Sequence, residues 1–192
     1  MKPSKHEIVR PKAASGRIVR LRVVLSARVA TDGSRTAFLS AGPWRVRCAI
    51  GRTGVTRHKR EGDGATPIGE FSIPRWWIQP VRPGFFRTGL KTRTIRRDDG
   101  WCDDIRSGAY NQWVRRPFAM SSEEMWRDDG KYAAVGVIDY NLRPRRRGVG
   151  SAIFFHLCGD DYSGTAGCIA IRARDLRKLL PRLSSRVRIS IG

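Results

Sequence analysis

The sequence predicts a mainly β protein with one or two short helices, and three observations carry that expectation. Apolar and polar residues alternate with period two at both ends of the chain, as in half-buried strands. Helical spacing occurs clearly once, where Leu176, Leu179, Leu180 and Leu183 fall at i, i+3, i+4 and i+7. A chain of 192 residues, 40% of them hydrophobic, is large enough for one real core and short for two.

Taken in order, residues 1–16 are polar and basic, carry Pro3 and Pro11, and are expected to be a flexible arm. Residues 17–192 are expected to form one domain. From Ile18, the residues Val19, Leu21, Val23 and Leu25 face one way against Arg20 and Arg22. Asp32-Gly33-Ser34 is expected to turn the chain. A second alternation sets Trp44, Val46, Cys48 and Ile50 against Arg45 and Arg47. The segment Thr66-Pro67-Ile68-Gly69-Glu70-Phe71 predicts a constrained turn, after which Phe71 and Ile73 restart a strand. Residues 74–131 are expected to be a long irregular insertion, with five of the six Trp and the acidic pairs Asp98-Asp99, Asp103-Asp104 and Asp128-Asp129. Val135 to Tyr140 and Ala152 to Phe155 are expected to be buried strands. The leucine helix follows, weakened by Pro181 in its last turn, and Val187, Ile189 and Ile191 close the chain as a strand.

Charge sets limits on partners. Thirty-eight Lys and Arg against seventeen Asp and Glu give +21, a field that attracts polyanions such as an anionic wall polymer. Nucleic acid is disfavoured, because no helix-turn-helix, zinc finger or RNP1 pattern accompanies the charge. No apolar run reaches the ~18 residues of a membrane helix. The best leader-like stretch, around Val23-Val24-Leu25, is interrupted by Arg22 and Arg28. The four cysteines, Cys48, Cys102, Cys158 and Cys168, lack the spacing of a small disulfide scaffold.

The chemistry concentrates near the C-terminus. Ser151-Ala-Ile-Phe-Phe-His156 reads as an apolar strand delivering an imidazole at its end. A polar loop follows, and Ala166-Gly167-Cys168-Ile169 then presents a thiol. The loop can return Cys168 to the side of His156. A free thiol, with a pKa of about 8.5, is mostly protonated at neutral pH. A neighbouring imidazole that takes its proton creates a nucleophile able to attack a carbonyl. Gly167 leaves room for close approach, and the N–H groups of Gly167 and Cys168 are candidate oxyanion donors. Two other readings fit the same residues. The pair can be buried structural side chains, or His156, Cys158 and Cys168 can be three ligands of a zinc ion whose fourth is remote.

The segment from His156 to Thr165-Ala166-Gly167-Cys168-Ile169 resembles the active-site signature of L,D-transpeptidases of the YkuD-like (ErfK/YbiS/YcfS/YnhG) type. Thr66-Pro67-Ile68-Gly69-Glu70-Phe71 resembles the Thr-Pro-x-Gly-x-Phe motif of the same family. Trp101 with Asp103-Asp104, Tyr110-Asn111, Tyr140-Asn141 and Gly148-Val149-Gly150-Ser151 are similar to a compact subgroup of it. The resemblance covers roughly residues 18–192 and implies a β-sandwich or barrel-like fold. It also implies a cysteine acyltransferase that acts on peptidoglycan stem peptides as a monomer, in the periplasm or cell wall, with no metal or organic cofactor.

Carried over, the resemblance implies that Cys168 is the nucleophile, His156 the base and later acid, and that a backbone carbonyl in the loop after it, that of Gly159, orients the imidazole. Thr165, Arg172, Tyr110, Asn141 and His58 are the expected substrate contacts. Two departures bear on substrate grip: Ala166 stands where many members have His or Arg, and Ala170 where many have Arg or Asn. Arg172 or the Arg143–Arg147 cluster is the expected replacement cation. Water in place of an amine would make the protein a carboxypeptidase, and a non-catalytic basic binding protein is the reading from a different class.

Overall fold

The structure, a computed structural model, describes residues 17–29, 35–80 and 85–192. The basic arm 1–16 and the Asp32-Gly33-Ser34 turn lie outside the described residues. The first strands are β1 (Ile18–Val29), β2 (Arg35–Ala41), β3 (Trp44–Ala49), β4 (Val55–Thr56), β5 (Thr66–Pro67) and β6 (Gly69–Ser72). The middle of the chain holds β7 (Arg75–Ile78), β8 (Thr92–Thr94), β9 (Asp99–Cys102), β10 (Gln112–Arg115) and β11 (Ser122–Glu124). The last part holds β12 (Ala134–Val137), β13 (Phe154–Leu157), β14 (Ile169–Ile171), α1 (Ala173–Leu179), a 3-10 turn at Leu180–Arg182 and β15 (Leu183–Ile191). The fold is mainly β, as the sequence predicts.

One sheet has ten strands in the order β6-β15-β1-β2-β3-β14-β13-β12-β7-β8. Leu21 and Leu39 from its first half meet Trp76 and Phe155 from its second half in one core, so the sheet curls around shared apolar side chains. Leu176, Leu179 and Leu180 of the helical segment close that core. The fourth leucine of the pattern, Leu183, is also buried, but as the first residue of β15. Pro181 explains the change: it cannot donate to the helical ladder, and the α-helix gives way to a 3-10 turn.

Several local expectations are corrected. Val19 is 53% exposed, because the β1–β15 register shifts between Ile18 and Arg20 and turns it away from the face of Leu21 and Val23. Strand β2 was not anticipated: its inward residues are Ala37, Leu39 and Ala41, and two alanines give little hydrophobic signal. Strand β13 begins at Phe154, since Ala152 has φ 51°, which an extended strand does not tolerate. The largest correction is in residues 74–131. Strands β7 and β8 extend the large sheet, and β10-β9-β11 form a sheet of their own. Each has only three or four residues, too few for a visible alternation.

The acidic pairs of that region are turn staples. Buried Asp99 accepts from Arg93 Nη2 at 2.5 Å, Trp113 Nε1 at 2.7 Å and the Arg96 N–H at 2.8 Å. Three donors satisfy a carboxylate that would otherwise be costly to bury. Asp129 similarly joins Arg127 Nη2 at 2.6 Å to the Lys131 N–H at 3.0 Å.

Candidate active site

Strands β13 and β14 are parallel neighbours, with Phe155 opposite Ile169 and His156 opposite Ala170. Side chains alternate along each strand. Phe155 and Ile169 therefore enter the main core, while Phe154, His156, Cys168 and Ala170 share the other face. Cys168 sits one residue before β14. Its Sγ accepts from the Phe154 N–H at 3.3 Å, and its S–H donates to the Ala152 carbonyl at 3.2 Å. Cys168 and His156 both line a cavity of about 290 Å³.

The loop that presents the thiol is held at several points. Thr165 Oγ1 donates to the Cys168 carbonyl at 2.6 Å and accepts from the Gly167 N–H at 3.1 Å. The Thr165 N–H donates to the Ile50 carbonyl at 2.9 Å, and the Arg52 N–H to the Thr165 carbonyl at 2.8 Å. Gly167 has φ 138°, and a Cβ there would lie 2.8 Å from the Ala65 carbonyl oxygen. Its glycine is thus a requirement of backbone conformation and of close packing against Ala65. Its N–H, one of the two expected oxyanion donors, donates to Thr165 Oγ1.

The imidazole is oriented by the carbonyl next along its own strand. His156 Nδ1 lies 2.8 Å from the Leu157 carbonyl oxygen, so Leu157 takes the place expected of Gly159. A carbonyl only accepts, so Nδ1 carries the proton and Nε2 is the basic nitrogen. Tyr132 packs edge-on against the ring, with centroids 5.0 Å apart. The Tyr132 hydroxyl donates to Glu123, another residue of the cavity wall.

Burial sets the resting charge state. It pushes the Cys168 thiol far above its ordinary range, and the nearby Glu123 carboxyl adds to the effect. Burial also lowers His156 from 6.5 to about 4. Both shifts favour the neutral forms, thiol and imidazole. Burial raises Glu123 as well, against the hydrogen bond from Tyr132.

The remaining expected contacts are distributed unevenly. Thr165 lines the cavity; Arg172, Asn141, Tyr110 and His58 are not part of its wall. Arg172 lies 3.2 Å from Asp160 and stacks over Tyr162, whose ring centroid is 5.0 Å away. Asn141 pins the following loop, with Nδ2 donating to the carbonyls of Arg146 at 2.9 Å and Gly150 at 2.8 Å. Tyr110 is buried and its hydroxyl donates to Glu61, which does line the cavity. His58 is exposed.

Sequence reasoning missed the charged residues that do face Cys168. Lys59, Arg127 and Lys131 line the cavity as cations, and Glu61, Asp103 and Glu123 as acids. Lys59 is 7% exposed, with Nζ 2.6 Å from Asp63 Oδ1. These three cations share a cavity with Ala170, whereas Arg172 and the Arg143–Arg147 cluster are not part of its wall. Each lay in a charged run that resembles solvated surface, and only its nearness to buried His156 or Cys168 in space distinguishes it.

A model of the YkuD L,D-transpeptidase catalytic domain matches residues 21–191. The chain belongs to this family. No curated protein and no solved structure matches it. Members of the L,D-transpeptidase family act on peptidoglycan and are typically periplasmic or of the cell wall. Among the described residues no helix is long and apolar enough to cross a membrane, and no three His, Cys, Asp or Glu side chains converge as metal ligands. All four cysteines are free thiols.

Proposed function

We propose that residues 17–192 form a catalytic domain that cleaves and re-forms peptide bonds of peptidoglycan stems, with Cys168 as nucleophile and His156 as base and acid. The observation that carries this reading is the pairing of β13 and β14. It sets a buried thiol and a buried imidazole on one face, at one cavity, in a chain of the L,D-transpeptidase family.

The bond attacked joins meso-diaminopimelate to a terminal D-amino acid in a stem tetrapeptide. As Sγ approaches the carbonyl carbon, Nε2 of His156 takes the thiol proton and the sulfur–carbon bond forms. The Phe154 N–H at the sulfur favours the developing thiolate, and the Cys168 N–H faces the oxyanion. Collapse breaks the carbon–nitrogen bond, and the imidazolium returns its proton to the departing amine. An incoming amine then attacks the thioester, loses a proton to His156 and releases the thiol, leaving a 3→3 cross-link or an exchanged stem. A resting neutral pair suits this sequence, since proton transfer is coupled to attack. The cations Lys59, Arg127 and Lys131 grip substrate carboxylates, and the acids opposite them grip ammonium groups.

Incubation of the protein with purified tetrapeptide muropeptides, followed by mass spectrometry, tests the proposal. Cross-linked dimer or exchanged stems that vanish in Cys168→Ala are the expected result. Tripeptide alone would assign water as the acceptor, and no product of any kind would overturn the reading.

A further inference from the structure

A second cavity of about 690 Å³ opens on the face formed by β9, β10 and the loop after β12. Five arginines line it: Arg75, Arg93, Arg143, Arg145 and Arg147. No acidic side chain does so among the described residues. Arg93 is the fixed point of the array. Its guanidinium lies 4.3 Å from the centroid of Trp77 and 4.5 Å from that of Trp113, and is paired with buried Asp99. Arg145 Nη1 donates to the Tyr110 carbonyl at 3.3 Å. Arg75, Arg143 and Arg147 are exposed and make no ion pair among the described residues.

We infer that this groove is a binding site for an anionic polymer with a phosphodiester-linked polyol backbone. Charge complementarity and shape both favour such a polymer. Guanidinium forks match the two free oxygens of a phosphodiester, and an open groove lined by several of them suits a chain with one charge per repeat. Apart from Arg93, which Asp99 pairs, the arginines of this wall make no ion pair among the described residues, whereas the catalytic cavity is lined by acids as well as cations. A single-stranded nucleic acid fits less well, because it needs successive open aromatic faces on which bases stack. The one exposed indole here, Trp113 at 39%, has Arg93 over its ring and its Nε1 bonded to Asp99. The groove and the catalytic cavity share a wall. Tyr110 and Asn111 line the groove, while Tyr110 donates to Glu61 and Asn111 Oδ1 accepts from the Ala152 N–H, both on the catalytic side. A bound polymer would thus hold the protein on an anionic surface and leave the thiol cavity open. The inference does not require the transpeptidase reading.

The test is binding of fluorescently labelled poly(glycerol phosphate) to the full chain, by anisotropy, over a range of salt concentrations. Two triple variants are compared: Arg75→Ser, Arg143→Ser, Arg147→Ser in the groove, and Lys178→Ser, Arg182→Ser, Arg186→Ser on the α1–β15 surface. The groove variant should lose about tenfold or more in affinity with a shallower salt dependence, and the other less than about threefold. Equal losses would overturn the inference in favour of a diffuse field, and absence of binding would overturn it outright. Oligothymidylate of equal charge binding as tightly would reassign the groove to nucleic acid. Should the groove variant fail to fold by circular dichroism, phenylglyoxal modification of the wild-type protein decides. The polymer should protect Arg75, Arg143 and Arg147, but not Arg182 or Arg186, and equal protection would sink the proposal. Cys168→Ala should bind the polymer as the wild type does, which separates this site from the catalytic one.

Discussion

The two cavities use the same kind of side chain in opposite ways. In the catalytic cavity, of about 290 Å³, Lys59, Arg127 and Lys131 share the wall with Glu61, Asp103 and Glu123, the cations pairing with Asp63 and Asp129, and burial disfavours charge on both His156 and Cys168. In the groove, of about 690 Å³, no acid among the described residues lines the wall; of its five arginines Arg93 pairs with buried Asp99, and the other four are exposed. A buried charge is costly unless matched, so the small cavity balances its charges. An exposed charge is already solvated, so the groove can accumulate one sign. The difference teaches that the +21 of this chain is not one property: it is matched where burial demands it and left unmatched where water permits.

The sharpest division between the two regions is expected from Cys168→Ala. It should lower muropeptide turnover by about a million-fold, to the level left by binding and oxyanion contacts alone, while polymer binding is unchanged. Measured turnover within tenfold of the wild type would remove the thiol from the mechanism.

His156→Asn should reduce turnover by about 1,000-fold, and it also exposes a stability effect. Because the folded-state value of His156 is depressed from 6.5 to about 4, the unfolded chain binds the proton first as pH falls. Stability contributed by the neutral, buried ring is therefore complete above about pH 6.5 and lost as pH falls toward 4, by about 3 kcal/mol. Urea unfolding at pH 7 and pH 4 should show a larger acid loss in the wild type than in His156→Asn. Equal losses would contradict the burial of the imidazole.

Asn111→Ala strikes the shared wall. Asn111 Oδ1 accepts from Trp101 Nε1 at 2.9 Å and the Ala152 N–H at 3.0 Å, and Nδ2 donates to the Asn141 carbonyl at 2.8 Å. Leaving these groups unpaired should cost about 3 kcal/mol, read as a shift in the urea midpoint. A loss confined to one cavity's function, with stability intact, would show that the wall does not couple them.

Glu123→Gln should act only on the catalytic side. Its carboxyl adds to the elevation of the Cys168 thiol, so removing it lowers that pKa and raises the thiolate fraction. Iodoacetamide should then label Cys168 a few-fold faster at pH 8, because the thiolate is the reactive form. Slower labelling would reverse the sign assigned to Glu123. The smallest effect belongs to Arg172→Ala. With its side chain engaged by Asp160 and Tyr162, turnover and substrate affinity should stay within about twofold of wild type, the scale of a surface pair.

What the sequence by itself determined was the β class, the helix face of Leu176, Leu179 and Leu180, and the nomination of Cys168 and His156. Each rests on local information: a repeat that recurs along several residues, or motifs that keep their order along the chain. Strand β2 and the sheet β10-β9-β11 escaped because alanines or three-residue strands carry too little periodic signal. Only the tertiary structure decided which charges meet the thiol. Lys59 is separated from Cys168 by more than a hundred positions, and Glu123 by more than forty, yet both line its cavity. His58 and Lys59 are neighbours in the sequence, but one is exposed and the other is buried beside Asp63. Adjacent residues of one charged run thus receive opposite environments, because burial is set by which strands pair, and the pairing of β3 with β14 and β13 is a property of the whole sheet.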